Sequence, residues 1–424
     1  RLTAHRPPPT AHGSPPTAHG SRRVMASVVF FNLAAHGHIN PTLPLVAELV
    51  RRGEHVSYYS LPPFQAVIEA TGATFCDYGA ALPAAVMQVD PNLFRFAGVL
   101  LRVTGAVVRS LWPAMRADPP DYIIHDSLAG WGKYLAHLLG VPAVCSTTTF
   151  VLGVRQGLTT PEQIPAMARM AGAAWREWGA FLRLTGRLAR SYGVPRPQVL
   201  DVFTNRQPLT LVYTVRRFQP WGWSFGPGTA FVGPTYDGRS EADDFPWAAL
   251  DDRPVVYISL GTVFSDQIAF FQQCFAAFAA APYQIVLSLG GRSDPAALGP
   301  VPANFVVRPF VPQLALLQRA ALFITHGGMN SVNEALYYGV PLVVVPQAAD
   351  QLIVARRVAH LGAGVLLPQD RRTPSGLRSS AARVLADPRY RTAALRVGQT
   401  LRAAGGATQA ADLVWTYTRA RGVR

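Results

Sequence analysis

THGGMNSVNEALYYG, residues 325–339, decides how this chain is read. It follows the apolar run ALFI, and its second half has the spacing of a helix, so it reads as a strand, a tight loop and a helix start. Gly327 and Gly328 permit a sharp turn and let a ligand approach bare backbone. Asn330 and Ser331 fall where the helix begins. Free N–H groups at that point, with the helix dipole behind them, attract a phosphate, and His326 can donate to a phosphate oxygen. Glu334 lies three residues after Ser331, which leaves two readings open: a capping box, or a carboxylate accepting from ribose hydroxyls.

The flanks extend the pattern. Upstream, RPFVPQLALL (308–317) offers Phe310, with Val311 beside it, to stack on a planar base, and Gln313 to bond a ribose. Downstream, PLVVVPQAADQ (341–351) puts Asp350 and Gln351 after a strand, where two polar groups can hold sugar hydroxyls. Readers for base, ribose, diphosphate and sugar thus fall within residues 310–351.

Further out, short apolar runs alternate with amphipathic helices in two series. The first has SVVFFNLA (27–34), HVSYYSL, YIIHD (122–126) and PAVCST (142–147) as strands. The second begins after a Pro/Gly/Trp-rich stretch near 219–254 and has VVYISLG (255–261), YQIVLSLG, FVVRPF, ALFITHGG and PLVVVP. This rhythm predicts an α/β protein with two Rossmann-like domains and ligands at the carboxyl ends of the strands. The expected divisions are an extension over 1–24, an acceptor-side domain over 25–225, a linker over 226–254, a nucleotide-sugar domain over 255–405 and a final segment over 406–424.

The window 310–351 resembles the nucleotide-sugar signature of family 1 glycosyltransferases, most nearly their bacterial macrolide branch, and the resemblance extends over 25–415 through AAHGHINP, HDSLAGW and VYISLGT. It implies a GT-B architecture, two domains facing a cleft, with a last helix near 406–420 crossing back to the first domain. Carried over by position, Phe310 would stack on uracil, and Gln313 and Glu334 would bind ribose. Thr262, His326, Asn330 and Ser331 would bind the diphosphate, with Gly328 letting it approach, and Asp350 and Gln351 would bind the sugar. Plant members usually have Trp where Phe310 and Met329 stand. The D-Q pair favours UDP-glucose by resemblance. No metal and no resident cofactor is implied, the UDP-sugar being a co-substrate.

Transfer to a hydroxyl needs a base. AAHGHINP (34–41) offers His36 and His38 after the first strand, and imidazole is suited because it is neutral near pH 7. Spacing alone leaves the two as rivals. His38 matches the family's catalytic histidine, and Asp126, at the end of YIIHD, matches its acidic partner.

The chain has 424 residues, 49% of them hydrophobic, which suits two packed domains and excludes a disordered chain. Its net charge of +15 invites a nucleic-acid reading, but of 39 basic residues only Lys133 is lysine, and no zinc finger, helix-turn-helix or RNA-binding aromatic motif occurs. No G-x-G-x-x-G follows the first strand, which weighs against an NAD oxidoreductase. Cys76, Cys145 and Cys274 form no C-x-x-C and fit a reducing cytoplasm. PPTAHGS occurs twice, at 8–14 and 15–21, in a Pro-rich stretch that reads as upstream sequence ahead of a start at Met25.

Arg95, Arg102, Arg109 and Arg116 lie seven apart, as do Arg169, Arg176, Arg183 and Arg190. Each set predicts one basic stripe on an apolar helix, with Pro113 interrupting the first. Two readings stay open: a solvated helix face, or peripheral contact with an anionic membrane at its inner face. Apolar stretches such as LFRFAGVLL and AAWREWGAFL are expected to line a pocket for a hydrophobic hydroxylated small-molecule acceptor.

Overall fold

The computed structural model describes residues 25–83, 92–151, 164–236, 244–261, 267–291, 293–347 and 349–423. The extension 1–24 and Thr262 lie outside the described residues, as do the side chains of Arg169 and Arg176.

Two wholly parallel sheets form the frame. The first contains β1 (Ser27–Phe31), β2 (His55–Ser60), β3 (Thr74–Asp77), β4 (Tyr122–Asp126), β5 (Ala143–Thr147), β6 (Leu209–Val212) and β7 (Thr229–Phe231), in the order β3-β2-β1-β4-β5-β6-β7. The second contains β8 (Val255–Ser259), β9 (Gln284–Ser288), β10 (Phe305–Arg308), β11 (Ala320–Thr325), β12 (Leu342–Val344) and β13 (Gly364–Leu366), in the order β10-β9-β8-β11-β12-β13. Strands covered on both faces must be apolar throughout. β4, β5, β8 and β9 accordingly have every residue buried.

In each sheet the chain order reverses beside the first strand of its series, β1 against β4 and β8 against β11. Connections from such neighbours leave in opposite directions and open a crevice at the carboxyl ends. The turn after β1 therefore faces the end of β4, and register confirms it, with Phe31 opposite His125.

The halves are joined by more than the chain. Asn333, buried on the helix Met329–Tyr337, donates to the Tyr213 carbonyl (3.1 Å) and accepts from the Thr214 hydroxyl (3.0 Å). Arg357 donates through Nε to the Phe218 carbonyl (2.9 Å). Phe150, Val215 and Phe218 from the first half share one hydrophobic cluster with Tyr257, Phe323 and Leu336 from the second. The last helix, Gly406–Arg419, returns to the first half: Ala410, Ala411 and Val414 join the core beneath β1 and β2, and Asp412 pairs with Arg52 at 2.6 Å.

Three expectations change. β7 lies within the stretch 226–254 expected as linker; its three residues among glycines and prolines carry too little periodicity to read as a strand. Pro113 sits inside an unbroken helix, Leu93–Ala117, rather than ending it. Its missing N–H removes one bond near the carboxyl end, and burial of Val107, Val108 and Met115 on either side holds the axis. The expectation that LFRFAGVLL and AAWREWGAFL line a pocket narrows: Phe96, Ala97, Leu100, Leu101 and Phe181 are in the core, while Trp178 stays exposed. Amphipathic helices spend such residues on packing.

Gly132 fixes the helix Gly130–Leu139 against the sheet, since a β-carbon there would lie 2.4 Å from the His125 Cβ and 3.1 Å from the Phe31 ring. Gly132→Ala should therefore cost about 1–3 kcal/mol of stability by overpacking. Urea unfolding measures it, and an unchanged midpoint would show that the helix can lift without cost.

Candidate active site

β1 leads into Asn32, whose fully buried side-chain amide donates to the His38 carbonyl (3.0 Å) and to the Tyr58 hydroxyl (2.6 Å). This ties the short helix His36–Ile39 to the sheet. Within it the two histidines separate. His36 is exposed, its ring edge-on to Phe64 at 4.9 Å. His38 turns inward and places Nδ1 2.8 Å from Asp126 Oδ2.

The His38 side chain keeps 16% exposure and Asp126 none. The other Asp126 oxygen accepts from the Leu128 N–H at 2.7 Å, so both oxygens of the buried carboxylate are engaged. The Thr148 hydroxyl lies 3.2 Å from the same His38 nitrogen. Burial works against a charged His38 imidazole, but the Asp126 carboxylate outweighs it by charge and hydrogen bond, with help from Asp350, and the pKa rises above 6.5. With Nδ1 committed to Asp126, the basic lone pair falls on Nε2.

The second half supplies the facing wall. The helix Met329–Tyr337 is N-capped by Gly328 without a side-chain hydrogen bond. Ser331 therefore sits inside the first turn and is not the cap, which removes the capping-box reading. Glu334 is buried and accepts instead from the Gln313 amide, while Gln313 Oε1 accepts from the Tyr257 hydroxyl at 2.8 Å. The Asn330 amide reaches across to the Gly37 carbonyl at 3.0 Å, beside His38.

His326 lies between two glycines. A β-carbon at Gly261 would come within 2.7 Å of the ring and one at Gly328 within 2.6 Å. Burial lowers its pKa to about 4, so it is neutral at pH 7. Phe310 is 64% exposed, its ring over Gly291, where a β-carbon would stand 2.5 Å away. Val311 is half-buried against the core. Asp350 is exposed near the start of the helix Ala349–His360. Gln351 is buried and its Oε1 accepts from the Gln347 N–H at 2.7 Å, shaping the loop after β12. Among the described residues, no three His, Cys, Asp or Glu side chains converge as a metal site.

Asn32, Thr148 and Tyr257 escaped the sequence reading. Each is an ordinary polar residue in a strand or just after one, and only the pairing of distant strands shows that they hold His38 and Gln313.

A family model described as the erythromycin biosynthesis protein CIII-like C-terminal domain matches residues 272–412. An NDP-glycosyltransferase of Bacillus licheniformis is 33% identical, covering 94% of this chain and 99% of the relative. The oleandomycin glycosyltransferase of Streptomyces antibioticus is 31% identical, covering 93% of this chain and 92% of its own. The crystal structure of CalG4, the calicheamicin glycosyltransferase, superposes with a TM-score of 0.77 at 31% identity, covering 94% of this chain and 99% of that one.

Two buried histidines make stability depend on pH. His125, like His326, has its pKa lowered by burial to about 4. Above 6.5 neither contributes; as pH falls from 6.5 toward 4 the unfolded chain takes up protons that the native one refuses, and stability declines. His38, with its pKa raised, works the other way and gains as pH falls toward 6.5. Denaturant unfolding from pH 7 to 4.5 should show falling stability, and His326→Asn should flatten the slope. A slope unchanged by that substitution would place the uptake elsewhere.

Proposed function

The chain belongs to the family 1 bacterial glycosyltransferases, GT-B enzymes dependent on nucleotide sugars, and from that premise we propose that it moves a hexose, glucose in the first instance, from a UDP-sugar to a hydroxyl of a lipophilic small molecule. The observation that carries this reading is the His38–Asp126 pair at the carboxyl ends of β1 and β4, facing a helix N-terminus on the other half.

In this mechanism His38 Nε2 accepts the proton of the acceptor hydroxyl as its oxygen attacks the anomeric carbon, on the face opposite the leaving group. The new C–O bond forms while the bond to the diphosphate breaks. The transition state has oxocarbenium character, and an α-linked donor gives a β-glycoside. Asp126 holds the imidazole in one tautomer and stabilises the imidazolium. Thr148, whose hydroxyl lies beside Nδ1, is a positioning residue for the ring. The first turn of Met329–Tyr337, where Asn330 and Ser331 stand, and neutral His326 as donor stabilise the departing UDP. Phe310 is the platform for uracil. Glu334, held by Gln313, accepts from ribose, and Asp350 and Gln351 hold the sugar. The names of the natural-product relatives support an apolar, hydroxylated acceptor.

His38→Ala should lose about 10²–10⁴-fold in turnover while binding UDP as before, measured by UDP release and by calorimetry. Because the base must be neutral, kcat/KM should rise with pH through the raised His38 pKa. Asp126→Asn removes what raises that pKa and should move the acid limb to lower pH as well as slowing turnover. Thr148→Val should disturb the limb, and Thr148→Ser restore it. Normal turnover in His38→Ala would sink the assignment. A screen crossing UDP-sugars with hydrophobic alcohols identifies the substrates; UDP formed without any alcohol would favour an epimerase-type reaction instead.

A further inference from the structure

The helices Leu93–Ala117 and Ile164–Tyr192 pack side by side and run in the same direction: Arg95 pairs with Glu177 at 2.9 Å, Phe94 meets Trp178, and the Tyr192 hydroxyl reaches the Gly105 carbonyl. Together they hold nine arginines and one acidic residue, Glu177. Most of their described apolar residues pack in or against the core. Among the described residues the charged groups outside are basic, with Arg102, Arg109, Arg116, Arg183, Arg187 and Arg190 all exposed and Trp178 beside them.

A second regularity accompanies the first. Four of these arginines fold back over a glycine one turn earlier. A β-carbon at Gly98, Gly105, Gly179 or Gly186 would lie 3.4, 3.5, 3.9 or 3.7 Å from a guanidinium nitrogen of Arg102, Arg109, Arg183 or Arg190, respectively. Glycine inside a helix costs about 1 kcal/mol relative to alanine, yet the device recurs at seven-residue spacing on both helices. Its effect is to lay the long side chains along the helix instead of letting them project. Successive arginines of each stripe stand about 10 Å apart along the helix axis.

We infer that this helix pair is a docking surface for an anionic membrane. Two adjacent cylinders with flattened arginines match a plane of anionic headgroups. They match a nucleic-acid duplex poorly, since they form neither a groove-filling element nor a base-stacking platform. The contact is electrostatic and peripheral: most of the described apolar residues are packed in the core, and among the described residues no helix is long and apolar enough to cross a bilayer. Such docking would bring the acceptor half to the phase in which a lipophilic acceptor collects.

Vesicle sedimentation tests it independently of catalysis. The protein should sediment with phosphatidylcholine vesicles containing phosphatidylglycerol at low salt, not with pure phosphatidylcholine, and should be released near 1 M salt, where screening acts within about 3 Å. Arg102→Gln, Arg109→Gln, Arg183→Gln and Arg190→Gln combined should weaken binding on the order of a hundredfold or more, at roughly fivefold per charge, with turnover of a water-soluble acceptor unchanged. The pair Arg102→Gln and Arg109→Gln should give an intermediate loss if the fourfold variant does not fold. Replacing Arg378, Arg389, Arg391 and Arg396 by Gln removes the same charge from the other half and should leave binding intact. No binding at low salt, equal loss in that control, or displacement by duplex DNA at matched phosphate concentration would overturn the proposal.

Discussion

A carboxylate with no solvent exposure must be compensated, and Asp126 is compensated by one imidazole and one backbone N–H. That requirement reaches outward in both directions. The imidazole can be there only if β1 and β4 are neighbours and the turn after β1 is pinned, which Asn32 does from below. The N–H of Leu128 is available because the chain turns into the helix Gly130–Leu139, which can lie close to β4 because residue 132 has no side chain. Sheet order, one buried amide and one glycine therefore converge on the direction of a single ring.

The second half repeats the logic with less charge. His326 is kept neutral by burial and lies between two glycines whose missing side chains leave room for its ring. Glu334, buried like Asp126, takes the Gln313 amide, which the Tyr257 hydroxyl holds in turn. The halves meet through Asn330 and Asn333 on the helix that carries Glu334. A movement of that helix would thus be felt at Gly37, the residue before His38.

The sequence made the strands of both series readable where apolar runs were continuous and bounded by glycine or proline. It missed β3, β6, β7 and β13, with four residues or fewer in each, because so short a run carries no period. Candidate site residues were legible where residue type and place coincide: histidines after the first strand, glycines before a helix. Spacing two apart does not choose between His38 and His36; the resemblance named His38, and the direction in which one turn of helix points each side chain puts that ring beside Asp126. The Ser331–Glu334 spacing mimicked a cap because the helix starts at Met329, three residues sooner than a cap at Ser331 would require.

Charge and hydrophobicity show the same limit of composition. Of the described apolar residues of Leu93–Ala117 and Ile164–Tyr192, most are packed in or against the core, while the described arginines stand on the exposed face. Composition reports how much apolar and charged surface a segment has, and packing decides which part of it meets solvent. For an amphipathic helix pair the apolar part is committed first, because its burial is the larger free energy. Recognition by such an element therefore rests on its polar remainder, and here that remainder is almost wholly cationic.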